Sequence, residues 1–245
     1  MTLLEKNLIT INQRVKDMVY KSKRIMRNDT IPSETNLLLE LKGDGKSVIS
    51  DNTLWVDTNN NTTKTLSNAT VDSEDGSVIF NGVNTLLNTG IYQSALKNGY
   101  TIAIRMFPSD WSNYRGVWGI HYGSNYGGAM QANSGVEGIT IFHHNHPDHI
   151  TVAYEKLVPN RWHTIVFSYS NTGKAMVVID GTLEYEIDTF GELLPYNYLV
   201  IGRGHESSDR YYKGKISNCI VYDRGLNKEE MLELDNYMST INGGR

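Results

Sequence analysis

Three stretches of this 245-residue chain carry residues that could do chemistry, and the first is His144-Asn145-His146-Pro147-Asp148-His149. Three imidazoles and a carboxylate at that spacing (His144, His146, His149 and Asp148) can gather two metal ions around a hydroxide. The second is Glu186-Ile187-Asp188-Thr189-Phe190-Gly191-Glu192, three acids in a short run. The third is aromatic. Trp111, Tyr114, Arg115, Trp118, His121, Tyr122 and Tyr126 crowd into a segment rich in Gly, Ser and Asn, and Arg203, His205, Asp209, Arg210, Tyr211 and Tyr212 form a companion cluster further on. Flat rings stack on the C–H faces of sugars, while Asn, Arg and His hydrogen-bond their hydroxyls. Neither a G-x-S-x-G elbow nor a phosphate-binding glycine loop is present.

The elements that must position these residues come in two kinds. Residues 4–25 repeat apolar side chains at a 4-3 spacing: Leu4, Leu8, Ile11, Val15, Met18, Ser22 and Ile25. That is a heptad seam, and Leu at one core position with Ile at the other favours trimers or tetramers over dimers. Residues 1–27 are therefore read as a coiled-coil oligomerisation helix, with Leu4, Leu8, Ile11, Val15, Met18 and Ile25 in the seam. Two other uses stay open for it: an amphipathic helix lying on its own domain, or one lying on an anionic membrane. Pro32 disfavours helix at Ile31, so residues 28–36 are a linker.

From residue 37 the period falls to two. Short β-rich runs recur at 37–41, 77–80, 100–107, 116–121, 138–142, 150–154, 162–169, 175–179, 183–187, 198–201 and 214–222, separated by Gly, Asn, Asp and Ser. Such spacing without long helical patterns predicts an all-β antiparallel sandwich over residues 37–245. Asp180-Gly181 marks a tight hairpin. Asn227 with Glu230 three residues on predicts a capped helix at about 227–239, burying Met231, Leu234 and Met238. Trp118 and Trp162 are expected in the core.

Composition narrows the function. The basic excess sits in residues 1–27, with seven Lys/Arg against two acids, while the whole chain carries −4. The acidic body does not invite nucleic acid. No apolar run reaches membrane-span length, so no membrane insertion is expected. Met1 to Asn7 interrupt any signal-peptide core with charge and amide, so no secretion signal is expected. Cys219 lies in an apolar stretch and reads as a buried structural thiol.

Five segments together resemble the concanavalin A-like, laminin-G-like jelly roll. They are Phe80-Asn81-Gly82-Val83 with Leu86-Leu87; Tyr100 to Pro108; Asn160-Arg161-Trp162-His163 to Tyr169 with Met176 to Gly181; Leu199-Val200-Ile201-Gly202; and Gly214-Lys215-Ile216 through Leu226. Members of that family mostly bind glycans or proteins, and the wider superfamily includes enzymes, so the fold leaves function to the site. Members often place acids just after the Gly-x-Ile of the last strand, some of which hold calcium. Here Ser217 and Asn218 stand there and lack the charge a hard cation prefers, so no cofactor is expected.

The resemblance bears on the first two stretches. His144 to His149 fits the H-x-H-x-D-H motif of metallo-β-lactamase-like hydrolases, whose fold alternates strands with helices. Here the motif falls on a hairpin turn between two strands, so no metal site is expected at His144, His146 and His149. Glu186 to Glu192 resembles the E-x-D-x-x-E signature of laminarinase-type hydrolases, in which strand alternation points the acids into one cleft. Here Gly191 holds the place of the third acid, and Glu192 comes one residue late.

The expected ligand-binding residues are thus Trp111, Tyr114, Arg115, Tyr122, Tyr126, Arg203, His205, Arg210 and Tyr211. An oligomerising helix with a lectin-like sandwich resembles the receptor-binding or fibre proteins of bacteriophage tails. The expectation is a homotrimeric, non-enzymatic virion protein that binds a bacterial cell-surface glycan and other tail proteins, with no nucleic acid partner. A glycan-cleaving hydrolase on the same jelly roll and a ligand-free structural spacer remain the alternatives.

Overall fold

Alternation of inward and outward residues turns into strand along most of the body. The computed structural model describes residues 31, 35–49, 51–112, 114–122, 125–133, 137–143, 147–193, 198–204 and 210–240, with only the backbone at 121, 122, 125 and 126. The heptad residues Leu4, Leu8, Ile11, Val15, Met18 and Ile25 lie outside it, as do His144, His146 and His205. The named strands all pair antiparallel, in two layers. The back layer runs β1 (Leu37–Lys42), β17 (Lys213–Tyr222), β8 (Gly99–Pro108), β13 (His163–Ser170), β14 (Ala175–Ile179) and β15 (Thr182–Ile187). The front layer runs β3 (Leu54–Asp57), β4 (Thr62–Ser67), β7 (Leu86–Tyr92), β16 (Tyr198–Ile201), β9 (Gly116–Tyr122), β10 (Asn125–Ala132), β11 (Gly138–His143) and β12 (His149–Ala153). The short strands β2 (Val48–Ile49), β5 (Thr70–Val71) and β6 (Val78–Asn81) extend β3 and β17, and Leu41 opposite Asp57 joins the layers along one edge.

The core lies between the layers. Tyr100, Ile102, Ile104 and Met106 of β8 point into it, and Trp118 of β9 meets Tyr100 and Phe167 at ring separations of 6.4 and 5.8 Å. Thr101, Ala103 and Arg105 of β8 point the other way and are buried as well. What covers them is the C-terminal helix Lys228–Thr240, packed on the outside of β8, β13 and β14. It starts as its sequence predicts. Asn227 Oδ1 accepts from the Glu230 N–H at 3.0 Å, and Glu230 Oε2 accepts from the Asn227 N–H at 2.9 Å, a reciprocal capping box. Met231, Leu234 and Met238 are fully buried beneath it. No helix among the described residues is long and apolar enough to cross a membrane.

Two expectations change. Trp162 is half-buried on the outer side, its ring edge-on to Phe107 at 5.5 Å with the Arg105 guanidinium 5.6 Å from its centroid, because it precedes β13 rather than pointing into the sandwich. Residues 125–132, which fall outside the expected strand runs, form strand β10, with Gly128, Met130 and Ala132 buried under the back layer. Trp118 is in the core, and Cys219 is fully buried with its thiol pKa pushed far up by that burial.

Candidate binding rim and its relatives

Two loops approach at one edge of the sandwich. The first leaves β8 at Pro108 and reaches β9 at Gly116. The second leaves β16 and reaches β17 through Arg210, Tyr211 and Tyr212. Tyr211 bridges to both Gly116 and Arg203, and the Gly204 N–H donates to the Arg210 carbonyl at 3.0 Å. Gly116 allows this approach, since a Cβ there would fall 2.0 Å from the Gly204 nitrogen.

Arg115 fastens the loops together. Its Nη1 donates to the carbonyls of Gly82 at 2.6 Å and Tyr211 at 3.2 Å, and its Nε donates to Asp110 Oδ1 at 3.3 Å. Asp110 also accepts from Ser112 and pairs with Lys213 at 3.0 Å. Partial burial pushes its carboxyl pKa up, but the bonds from Ser112, Lys213 and Arg115 outweigh that and hold it well below the usual range. Arg115 therefore acts chiefly as a clamp, and its guanidinium is directed at the protein's own backbone.

The side chains this clamp presents are Tyr114, Arg203, Arg210 and Tyr211, all half-buried. The Arg210 guanidinium carbon lies 4.1 Å from the Tyr114 ring centroid, and that of Arg203 lies 5.6 Å from the Tyr211 ring. Tyr114 holds a left-handed backbone, φ 68°, which a bulky residue adopts only when its surroundings impose it. Two residue groups some ninety positions apart thus form one rim of paired rings and guanidiniums. Such a rim can stack on a sugar face and donate to its hydroxyls.

The other expected residues fare differently. Trp111 is turned inward: its indole N–H donates to the Leu157 carbonyl, and its ring lies 6.2 Å from that of buried Tyr212. Tyr122 and Tyr126 occupy the two strands of the β9–β10 hairpin, with Tyr126 opposite His121. His149 is exposed and stands opposite Phe142 in the pairing of β12 with β11, while His144 and His146 lie outside the described residues. Among the described residues no cluster of three or more His, Cys, Asp or Glu side chains could hold a metal ion. Ser217 donates to Asn218 at 2.8 Å within the sheet, and the nearby acids Asp72 and Asp75 both pair with the Lys215 ammonium, so these groups do not fit calcium. Glu186 pairs with Lys174, while Asp188 and Glu192 flank buried Phe190. A cleft of about 380 Å³ lies beside Glu186, between Ser168, Lys174, Met176 and the start of the C-terminal helix. Sequence reasoning missed Tyr92, although the alternation of Leu87, Thr89 and Ile91 inward puts it outward at 67% exposure.

A two-layer antiparallel jelly roll with aromatic loops at its rim is the architecture of lectins and glucanases. Residues 81–231 match the family model of the concanavalin A-like lectin/glucanases superfamily, and the chain belongs to that family. Similar solved structures include domain 4 of AbnA, a GH43 extracellular arabinanase from Geobacillus stearothermophilus, in complex with arabinotriose. Identity is 14% and the TM-score 0.61, over 82% of this chain and 98% of that one. Trypanosoma rangeli sialidase in complex with sialic acid matches at 14% identity and TM-score 0.64, over 86% of this chain but 34% of the sialidase. The binding domain of Botulinum neurotoxin DC in complex with rat synaptotagmin II matches at 14% and 0.58, over 83% of this chain and 52% of that one. At such identities the likeness is one of fold. Comparison with curated proteins gave no match.

Proposed function

We propose that this protein binds a carbohydrate at the rim of its jelly roll, and that it does so as a trimeric attachment protein of a virion tail or fibre facing a bacterial surface polysaccharide. The observation that carries the carbohydrate reading is the rim itself, where Tyr114 with Arg210 and Tyr211 with Arg203 pair flat rings and multidentate donors on a clamped scaffold. Membership of a family of lectins and glucanases supports it. The heptad seam at positions 4–25 supports a trimer, and through it the virion setting. The protein binds without cleaving; what supports this is that Gly191 stands where the laminarinase-type signature has its third acid.

Purified bacterial cell-wall polysaccharides should bind the protein and release no reducing ends. Tyr114→Ala and Arg210→Ala should each weaken binding by about tenfold, as the loss of a ring or cation–π contact implies, while the melting temperature stays close to wild type. Release of reducing ends that disappears in Glu186→Gln would make the protein a hydrolase. Undiminished binding in both rim variants would place the site elsewhere.

A further inference from the structure

An asparagine followed by glycine exposes its side-chain carbonyl carbon to the next backbone nitrogen, because glycine has no Cβ to hinder the approach. The chain holds this pair at Asn81-Gly82, Asn98-Gly99 and Asn242-Gly243, the last outside the described residues. The fold treats the first two in opposite ways. At Asn81 the amide is fully engaged. Its Oδ1 accepts from the N–H groups of Val83, Asn84 and Thr85 at 2.8, 3.0 and 3.2 Å, and its Nδ2 donates to Asn84 Oδ1 at 2.8 Å. Arg115 holds the Gly82 carbonyl at 2.6 Å as well. Turning the Asn81 amide toward the Gly82 nitrogen would undo the whole loop.

Asn98 has none of these ties. It is exposed in the turn between the short helix Gln93–Leu96 and β8, and its amide makes no hydrogen bond among the described residues. Gly99 stands opposite Ser170 on β13, but the Ser170 N–H donates to the Lys174 carbonyl at 2.9 Å and its own carbonyl accepts from the Gly173 N–H at 3.0 Å. The backbone groups of Ser170 thus serve their own turn. Glycine is required at position 99, where φ is 121° and a Cβ would fall 2.8 Å from the Tyr169 carbonyl oxygen and 3.1 Å from the Gly225 nitrogen. The packing that admits only glycine therefore sets the least hindered neighbour beside a free amide.

We propose that Asn98 is a site of spontaneous deamidation in the folded protein, and that its conversion loosens the start of β8. The Gly99 nitrogen loses its proton and attacks Asn98 Cγ; the Cγ–Nδ2 bond breaks and ammonia leaves. Water then opens the cyclic imide at either carbonyl, giving aspartate or isoaspartate at position 98. Water and the chain's own atoms are the only reactants. Isoaspartate adds a backbone carbon beside Gly99, where the Tyr169 carbonyl and the Gly225 nitrogen leave no room for one. The rim loop leaves the other end of β8 at Pro108, so this reading is independent of the carbohydrate function.

The test is peptide mapping by mass spectrometry of the full chain aged in mildly alkaline buffer, once folded and once in denaturant. In the folded protein the Asn98 peptide should convert at least about tenfold faster than the Asn81 peptide, since Asn81 must first give up several hydrogen bonds. In denaturant the two rates should converge, because both asparagines precede glycine. Asn98→Gln should suppress the conversion and leave the melting temperature unchanged, as the longer side chain closes the ring slowly. Equal rates at Asn81 and Asn98 in the folded protein, or a lead of Asn98 that persists in denaturant, would overturn the site. The converted fraction, separated on its added negative charge, should melt below the unconverted one; equal melting would overturn the consequence drawn for β8.

Discussion

Asp235, on the C-terminal helix, is nearly fully buried against the back layer, and its Oδ1 has no hydrogen-bond partner among the described residues. Burial pushes its carboxyl up to about 6. The Gly181 N–H and the Arg105 charge oppose that, and the Asp180 charge adds to it. The sign follows from linkage. With a folded pKa above the unfolded one, the stability contributed by the protonated group is complete below the unfolded value of 3.8 and is lost as pH rises through about 6. Asp235→Asn mimics the protonated form, so thermal melts should show it more stable than wild type at pH 8, by about 2 kcal/mol, and little changed at pH 4. An equal shift at both pH values would mean that packing, rather than charge, sets the effect. The rim residues obey the same logic in reverse: Asp110 is buried less and bonded more, so its charge is kept.

At the scale of elements, the C-terminal helix owes its start to one side chain. Glu230 completes the capping box with Asn227 and also forms a two-pronged pair with Arg224, at 3.0 and 2.7 Å. Glu230→Ala should cost about 1–2 kcal/mol in chemical denaturation, more than an exposed ion pair alone would give. A loss within a few tenths would show that helix packing alone fixes the end. This helix, the Asp180-Gly181 hairpin and the strand over 100–107 were legible because each is written in local residues: a cap, two positive-φ positions, an alternation. Strand β10 was not, because Gly128 answers to a distant neighbour: a Cβ there would meet the Phe142 carbonyl of β11 at 2.8 Å. Nor was the polar run Asn59 to Thr63, where Asn59 and Asn60 reach back to the carbonyls of Leu37 and Leu38 and pin β1. The rim was half legible. Its residue types stood out in the sequence, but the meeting of Arg115 with Tyr211 is a product of the long connection, and the inward turn of Trp111 depends on a carbonyl at Leu157. Tyr92 stood apart from the two aromatic clusters, although the alternation of β7 turns it outward.

For the whole molecule, a single rim of the kind proposed would bind weakly, because each ring contributes on the order of 1 kcal/mol. Attachment then depends on how many sites face the same surface. Three chains joined through residues 4–25 would turn the second and third contacts into intramolecular events, raising retention on a polyvalent cell wall by about a hundredfold or more. The seam supplies a direct test, since in the proposed trimer Ile11 would occupy a core layer where three copies meet. Ile11→Asp places three like charges in that layer and should separate the chains without touching the sandwich. Light scattering is expected to give three times the 27.6 kDa chain mass for the wild type and a single chain for the variant. The variant should then lose retention on intact cell walls while its affinity for a short oligosaccharide stays that of the wild type. Should the wild type itself run as a single chain at tens of micromolar, the trimer is refuted. Should Ile11→Asp lose oligosaccharide affinity as well, the helix is part of the binding domain, and the seam belongs to the alternative of a helix lying on its own sandwich.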